Sequence, residues 1–488
     1  MSKHCRNCLE SLNAFAQAVW GGHHGPRGSA RSASNSRSSK LANAMRGLMA
    51  PLGLAVLLIC SLHPGLAMAQ VTFNEEAYRQ LVDADSPDTV PVGTKITVAN
   101  WQQYKKFLPV SVQALFSGQY RLHIGPEPMY TIEVGPTHDF PQPGEVAKNT
   151  EKYSSQVKLE KLPSGGMLMT GYVAGIPFPN PLEPNRGIKV LYNDWTRFKT
   201  NIVHNSNVGF LVDRYGNKSF TIVDAAFYGL SHLSEPGLPM SLPYAHGVFY
   251  ATRFQLLTPE QTKYTTEITQ VPEDAQRLPE VFVFLPSLRR SLRLSAAAKC
   301  SPILGTDYVQ DDNSYQPPTF DVKYLGTKKL LTWYGYPNKG FLRSSYVGVA
   351  ENEPPGTYPG WPKYGTGLWE LRKYHVIDLR WIKSQGGYCY SHTVFYDDDQ
   401  TNFSPYHDNY DNEGKLWKLY HIKWTPMTYH GVTTVFAYGY SANAMTDIEN
   451  THTSAGASLD QTLDDDAPAE FKDVHGMSDP SNLQKIMK

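Results

Sequence analysis

Residues 280–295 read EVFVFLPSLRRSLRLS, an apolar run that meets a proline and then three arginines within five residues. The run 281–285 is apolar without alternation, as in a strand covered on both faces. Pro286 and Ser287 supply a turn. Beyond them the pattern alternates: Leu288, Leu292 and Leu294 share one side, interrupted by Arg290, and Arg289, Ser291 and Arg293 share the other. A hairpin accounts for the arginines better than a basic patch for nucleic acid. Arg290 then falls on the covered side, where a charge needs a partner or a ligand headgroup.

Similar runs extend outward from this hairpin. Strands are predicted at 246–257 and 262–271, which with 281–285 and 288–295 make an antiparallel meander. Further strands are predicted at 329–336, 341–349, 368–381, 388–396, 415–424 and 432–440. Turn-forming Asp, Asn and Gly at 397–400 and 411–414 separate the later ones. The 30 tyrosines, 35 prolines and 38 glycines suit a sheet-dominated fold. Helices are expected only as short pieces. One is capped by Asn74, one begins near Asn100 and is bent or ended by Pro109, and one carries the stripe Leu191, Trp195, Phe198, Ile202. Beyond about 450 the chain turns to Ser, Thr, Ala, Gly and Asp and reads as a mobile tail. The expected organisation is a presequence over 1–69, a helical and loop segment over 70–165, a half-barrel over 166–450 and the tail over 451–488.

Residues 49–69, MAPLGLAVLLICSLHPGLAMA, have the apolar core and small-x-small ending of a secretory signal peptide, with Arg46 as its positive flank. Cleavage after Ala69 would leave Gln70 first. The long stretch before it points to Met45 as the start. Ile59 stands where a lipobox needs a small residue, so Cys60 is read as unacylated, and Cys5 and Cys8 lack the second pair a metal site would need. Residues 1–69 hold seven of the 45 Lys/Arg and one of the 45 Asp/Glu, so the segment from Gln70 carries a formal net charge of −6. Nothing global attracts it to nucleic acid or to an anionic membrane. Two cysteines remain, Cys300 and Cys389, and in an oxidising periplasm they are expected to pair; the alternative is two separate buried thiols.

No nucleophile elbow, zinc-protease helix motif or P-loop occurs. Gly365-Thr366-Gly367 lacks the third glycine of a dinucleotide loop. His392, Asp397, Asp398, Asp399, His407, Asp408 and Asp411 form the densest polar cluster, with turns preferred over a metal because the spacing fits no standard loop. Glu127, Glu133 and Asp139 could supply paired carboxylates for glycoside hydrolysis. The segment 171–184, rich in Gly, Pro and apolar rings, reads either as a structural loop or as a lid over an apolar cavity.

The runs GYVAGIPFPNP (171–181), VFVFLPSLRRSLRLS (281–295), GTDYVQDDN (305–313), LWELRKYHVIDLR (368–380), YCYSHTVFYDDD (388–399) and YDNEGKLWKLYH (410–421) together give the chain a family likeness. Over residues 90–450 it resembles a proteobacterial periplasmic family, domain-of-unknown-function family 1329. Its members are called outer-membrane lipoprotein-sorting proteins and are related to the LolA and LolB carriers. The resemblance implies a mainly β fold, an incomplete antiparallel β-barrel around an apolar cavity. It also implies a binder of hydrophobic molecules working beside a resistance-nodulation-division transporter and an outer-membrane protein.

The leading expectation is a non-enzymatic periplasmic carrier for a lipid or other hydrophobic molecule, a monomer without cofactor or metal. The inward lining is expected to include Phe282, Phe284, Trp333 and Tyr346, with Arg290 near a headgroup and Tyr172, Ile176 and Phe178 as a lid. The alternatives are a secreted hydrolase using acidic residues and a ligand-free structural subunit of an envelope complex.

Overall fold

The computed structural model describes residues 71–117, 131–214, 217–231, 247–294, 300–313, 315–334, 368–382, 388–424, 426–434 and 441–487. Its body is one antiparallel sheet of 13 strands: β1 (Ile202–Val212), β2 (Lys218–Gly229), β3 (Val248–Leu256), β4 (Thr266–Pro272), β5 (Glu280–Leu285), β6 (Arg290–Arg293), β7 (Phe320–Tyr334), β8 (Leu368–Trp381), β9 (His392–Asp398), β10 (Tyr406–Tyr410), β11 (Leu416–Trp424), β12 (Ser441–Asp447) and β13 (His452–Leu463).

The pairings follow a simple path. The chain starts in the middle of the sheet and meanders outward from β1 to β6. It then crosses to the opposite edge and meanders back from β7 to β13. First and last strands lie side by side, β13 pairing with β1 from Thr453–Val212 to Leu463–Val203. The tip of β7 curls round to touch β11 through the single parallel pair Tyr334–Trp424. The sheet is therefore strongly curved at that end but not closed.

The decisive hairpin is present. Phe282 faces Arg293 and Phe284 faces Ser291 across β5 and β6, with Pro286–Leu288 as the turn. Arg289 is not on a strand; its left-handed backbone (φ 50°) ends the turn. Arg290 does share a side with Leu292, but it is exposed rather than covered, so the partner expected for it is not required. Arg293 pairs with Glu280 at 2.8 Å. A four-residue edge strand with an arginine at each end discourages pairing with another chain.

Each face of the sheet has its own cover. On the outer face, α1 (Glu75–Arg79), capped by the Asn74 side chain on Glu76 N at 3.0 Å, and α2 (Val110–Phe116) cover β7–β11. Tyr78, Leu115 and Phe116 join Leu330, Tyr374, Val394 and Leu419 in one core. The second predicted helix splits at Pro109, into the 3₁₀ turn Trp101–Phe107 and α2, because proline cannot continue a helix from within. The edge of β7 is capped by backbone bonds to the same segment, Lys329 N to Val82 O (2.8 Å) and Ala84 N to Thr327 O (3.0 Å).

Residues 451–488 overturn the expected mobile tail. Residues 452–463 are β13 at the centre of the sheet. The rest folds as short helical turns over the outer face of β1–β5, where Phe471 and Val474 pack on Tyr228 and Ala251, and Leu483 packs on Ile268 and Phe284. The Ser/Thr/Ala/Gly composition marks a strand with little side-chain bulk, stabilised by partners about 250 residues away.

α3 (Gly144–Tyr153) packs Val146 against Ile176 and Phe198, and α4 (Arg186–Thr196) lies on the inner face of the sheet. Leu191 and Trp195 of α4 pack against Ile377, Leu379 and Phe395 of β8 and β9. The predicted stripe outruns the helix: Arg197 is already extended and Ile202 begins β1. Lys199 holds the end of α4 by donating to Trp195 O at 2.9 Å.

Candidate functional site

Beside α4, the inner face carries a cavity of about 510 Å³. Its floor is the seam between β1 and β13, where Gly209 faces Gly456. Neither position contributes a side chain, and a Cβ on Gly456 would press on Asn443 Oδ1 at 3.3 Å. Ala225 and Ser454 keep the neighbouring positions small. The roof follows from topology. The chain must travel from the β6 edge to the β7 edge, and Ile303, Leu304, Tyr308 and Tyr315 of that connector line the cavity. The Cys300–Cys389 disulfide (Cα–Cα 5.3 Å) ties the start of the connector to the segment before β9. Tyr308 adds a bond from its hydroxyl to Asn443 Oδ1 at 2.7 Å.

The two ends of the cavity differ in chemistry. Val223, Ala225, Phe254 and Leu256 of β2 and β3 give one wall an apolar surface. At the other end stand Asp194, Arg197 and His407. The Arg197 guanidinium donates to Asp194 Oδ2 at 3.1 Å and lies over the Phe403 ring at 4.7 Å. Behind Asp194 sits buried Asp397, whose oxygens meet no N–H or hydroxyl donor among the described residues. Asp397 interacts electrostatically with the Asp194 carboxyl, which burial likewise raises above the usual carboxylate range. Burial and the neighbouring Asp194 charge hold Asp397 well above the usual carboxylate range. His407 is stacked on Phe395 at 3.8 Å and has no hydrogen-bond partner among the described residues. Burial, with Arg197 and His421 nearby, holds its imidazole neutral, well below the ordinary histidine range.

Most of the residues anticipated from sequence lie elsewhere. Phe282 and Phe284 are on the opposite face: their cross-strand neighbours are Ile268 and Thr266, whereas the inner positions of β5 are Val281 and Val283. Leu483 covers Phe284. Trp333 is buried in the N-terminal core with Trp369. Arg290 has the inner orientation but stands exposed at the sheet edge, and Tyr346 lies outside the described residues. The expected lid is fastened down away from the cavity. Tyr172 donates to Gly175 O, Ile176 packs with Val146 and Phe198, and Phe178 N bonds Asn193 Oδ1 on α4. The connector residues that do form the roof fall in GTDYVQDDN and just to either side of it. Placing them requires knowing that the meander crosses the sheet.

The polar cluster divides by strand alternation. Asp397 and His407 face inward; His392, Asp398 and Asp408 face outward. There His392 meets Asp378 (2.9 Å), Asp398 meets Arg372 (2.6 Å), and Asp408 accepts from Tyr396 (2.7 Å) and Tyr78 (3.0 Å). Asp399 pairs with His375 and Asp411 closes a turn. They do not converge on a metal. Asp307, Asp447 and His452 do come together, but protein donors already occupy them: Ser454 and His452 on Asp307, Trp417 and Asn450 on Asp447. Glu133 lies opposite Lys95 in a small two-stranded sheet and Asp139 bonds Gln400, so they form no catalytic pair; Glu127 lies outside the described residues.

The chain belongs to the family described as protein of unknown function (DUF1329), whose model matches residues 95–474. No curated protein matches it. Among solved structures it is similar to a domain from Vibrio parahaemolyticus described as an outer membrane lipoprotein-sorting protein, at 12% identity over 60% of this chain and 99% of that one, with a TM-score of 0.41. A DUF1329 family protein from Desulfovibrio piger gives 10% identity, 60% and 98% coverage and a TM-score of 0.41. A LolA superfamily protein from Nitrosomonas europaea gives 12% identity, 57% and 92% coverage and a TM-score of 0.33.

Proposed function

Proceeding from membership of that family, we propose that the chain is a periplasmic binding or carrier protein for a lipid or other hydrophobic molecule, an accessory to transport across the cell envelope. The observation that carries this reading is the cavity of about 510 Å³ on the inner face, left open by the described side chains and walled by Val223, Phe254 and Leu256. Its volume is in the range of sites for single small ligands. The signal-peptide pattern at 49–69 supports export. A resistance-nodulation-division transporter and an outer-membrane protein are the proposed partners.

The energetics suit reversible carriage. Twelve buried methylenes contribute about 10 kcal/mol at ~0.8 kcal/mol each, and association costs at least about 4 kcal/mol. The remaining ~6 kcal/mol corresponds to a dissociation constant of tens of micromolar. Titration with the apolar fluorophore N-phenyl-1-naphthylamine should show saturable binding. Ala225→Trp, which fills the cavity from β2, should abolish binding while the far-UV spectrum is retained. Equal binding by a folded Ala225→Trp protein would refute the assignment of the site.

A further inference from the structure

Asp194 with its Arg197 partner and His407 line the polar end of the cavity, and Asp397 stands behind Asp194. They determine what kind of head an apolar ligand can carry. The single guanidinium is already engaged by Asp194 at 3.1 Å. Against it stand two buried carboxyls, Asp194 and Asp397, both held above the usual carboxylate range by burial. A ligand carboxylate or phosphate would bring a further negative charge into a buried site where, among the described lining residues, the one cation, Arg197, is already paired with Asp194. His407, neutral, stacked on Phe395 (3.8 Å) and tilted against Tyr420 (4.9 Å), lines the cavity with one N–H and one lone pair that have no protein partner among the described residues.

Resting on the carrier reading, we infer that the ligand is an uncharged hydroxylated lipid, a long-chain or alicyclic alcohol, whose hydroxyl is held at His407 and the Asp194 carboxyl while its apolar body lies along Val223, Ala225 and Phe254. A hydroxyl can donate to Asp194 and accept from the imidazole N–H at once, and no charge is buried. A fatty acid binds only if it takes up a proton, which at pH 7.5 costs about a thousandfold for a carboxyl of ordinary pKa. An alkane fits the apolar wall but leaves His407 without a partner.

The test is displacement of N-phenyl-1-naphthylamine from the full mature protein at pH 7.5 by 1-dodecanol, dodecanoate and dodecane. Dodecanol is expected to act at about tenfold lower concentration than dodecane, the effect of one net hydrogen bond. It should also act at least about tenfold lower than dodecanoate. In His407→Phe, which keeps the ring stack, the advantage of dodecanol over dodecane should vanish while dodecane itself is unchanged. Dodecanoate matching or beating dodecanol overturns the inference, as does an unaltered preference in His407→Phe. If dodecane competes but dodecanol gains nothing over it, the headgroup assignment fails and the carrier reading stands. If none of the three competes and the fluorophore does not bind, both fall.

Discussion

Asp408 shows how a single buried carboxyl can be read from outside. It sits on the outer face and receives hydroxyls from Tyr78 of α1 and Tyr396 of β9. Burial pushes it up to about 6, against the hydroxyls that pull it down. The folded state therefore holds a proton that the unfolded state releases near 3.9. Stability from this group is fully present below about pH 4 and is lost as pH rises through 6, by roughly 3 kcal/mol. The stability of wild type relative to Asp408→Asn should accordingly fall by that amount between pH 4 and pH 7, measured by urea unfolding at each pH. A difference that is the same at both would mean that Asp408 titrates normally. Single residues also explain why the cavity lining was misplaced. Phe282, Phe284 and Trp333, expected on the inward face, are large, and large side chains fill space. The open volume lies where side chains are small, at Gly209, Ala225 and Gly456.

Element by element, legibility followed local pattern. The strand over 368–381 and the hairpin around Pro286 are plain, because both are rich in strand-forming residues and the hairpin has a turn signal at Pro286. β1 was hidden by polar residues (His204, Asn205, Ser206, Asn207) and by a helical stripe that overlaps its start. β13 was hidden because it forms the cavity floor and must be small and polar, as a loop would be. The connector that roofs the cavity was legible as residues but not as a place, since only the order of strands sends it across the inner face. The Cys300–Cys389 disulfide fixes that connector, closing a loop with a sequence separation of 89. Replacing both cysteines by serine should lower stability by up to about 4–5 kcal/mol, the chain-entropy ceiling for such a loop. It should also weaken fluorophore binding as the roof loosens. A denaturation midpoint unchanged by the double substitution would contradict the structural role of the bond.

At the scale of the whole molecule, the sheet is held curved by unequal covers. The N-terminal helices and the C-terminal turns occupy the two halves of the outer face, and α4 and the connector occupy the inner one. Among the described residues the inner cover is incomplete, and the gap beside α4 is the ligand site of the proposed carrier. A structural subunit with no ligand would have no use for that gap. The most direct measurement is native mass spectrometry of the wild-type and Ala225→Trp proteins, each purified from the periplasm of its own organism. The carrier account predicts a bound apolar molecule on the wild-type protein, released on activation, and none on Ala225→Trp. A wild-type protein that emerges bare, or a folded Ala225→Trp protein carrying the same adduct, would contradict it.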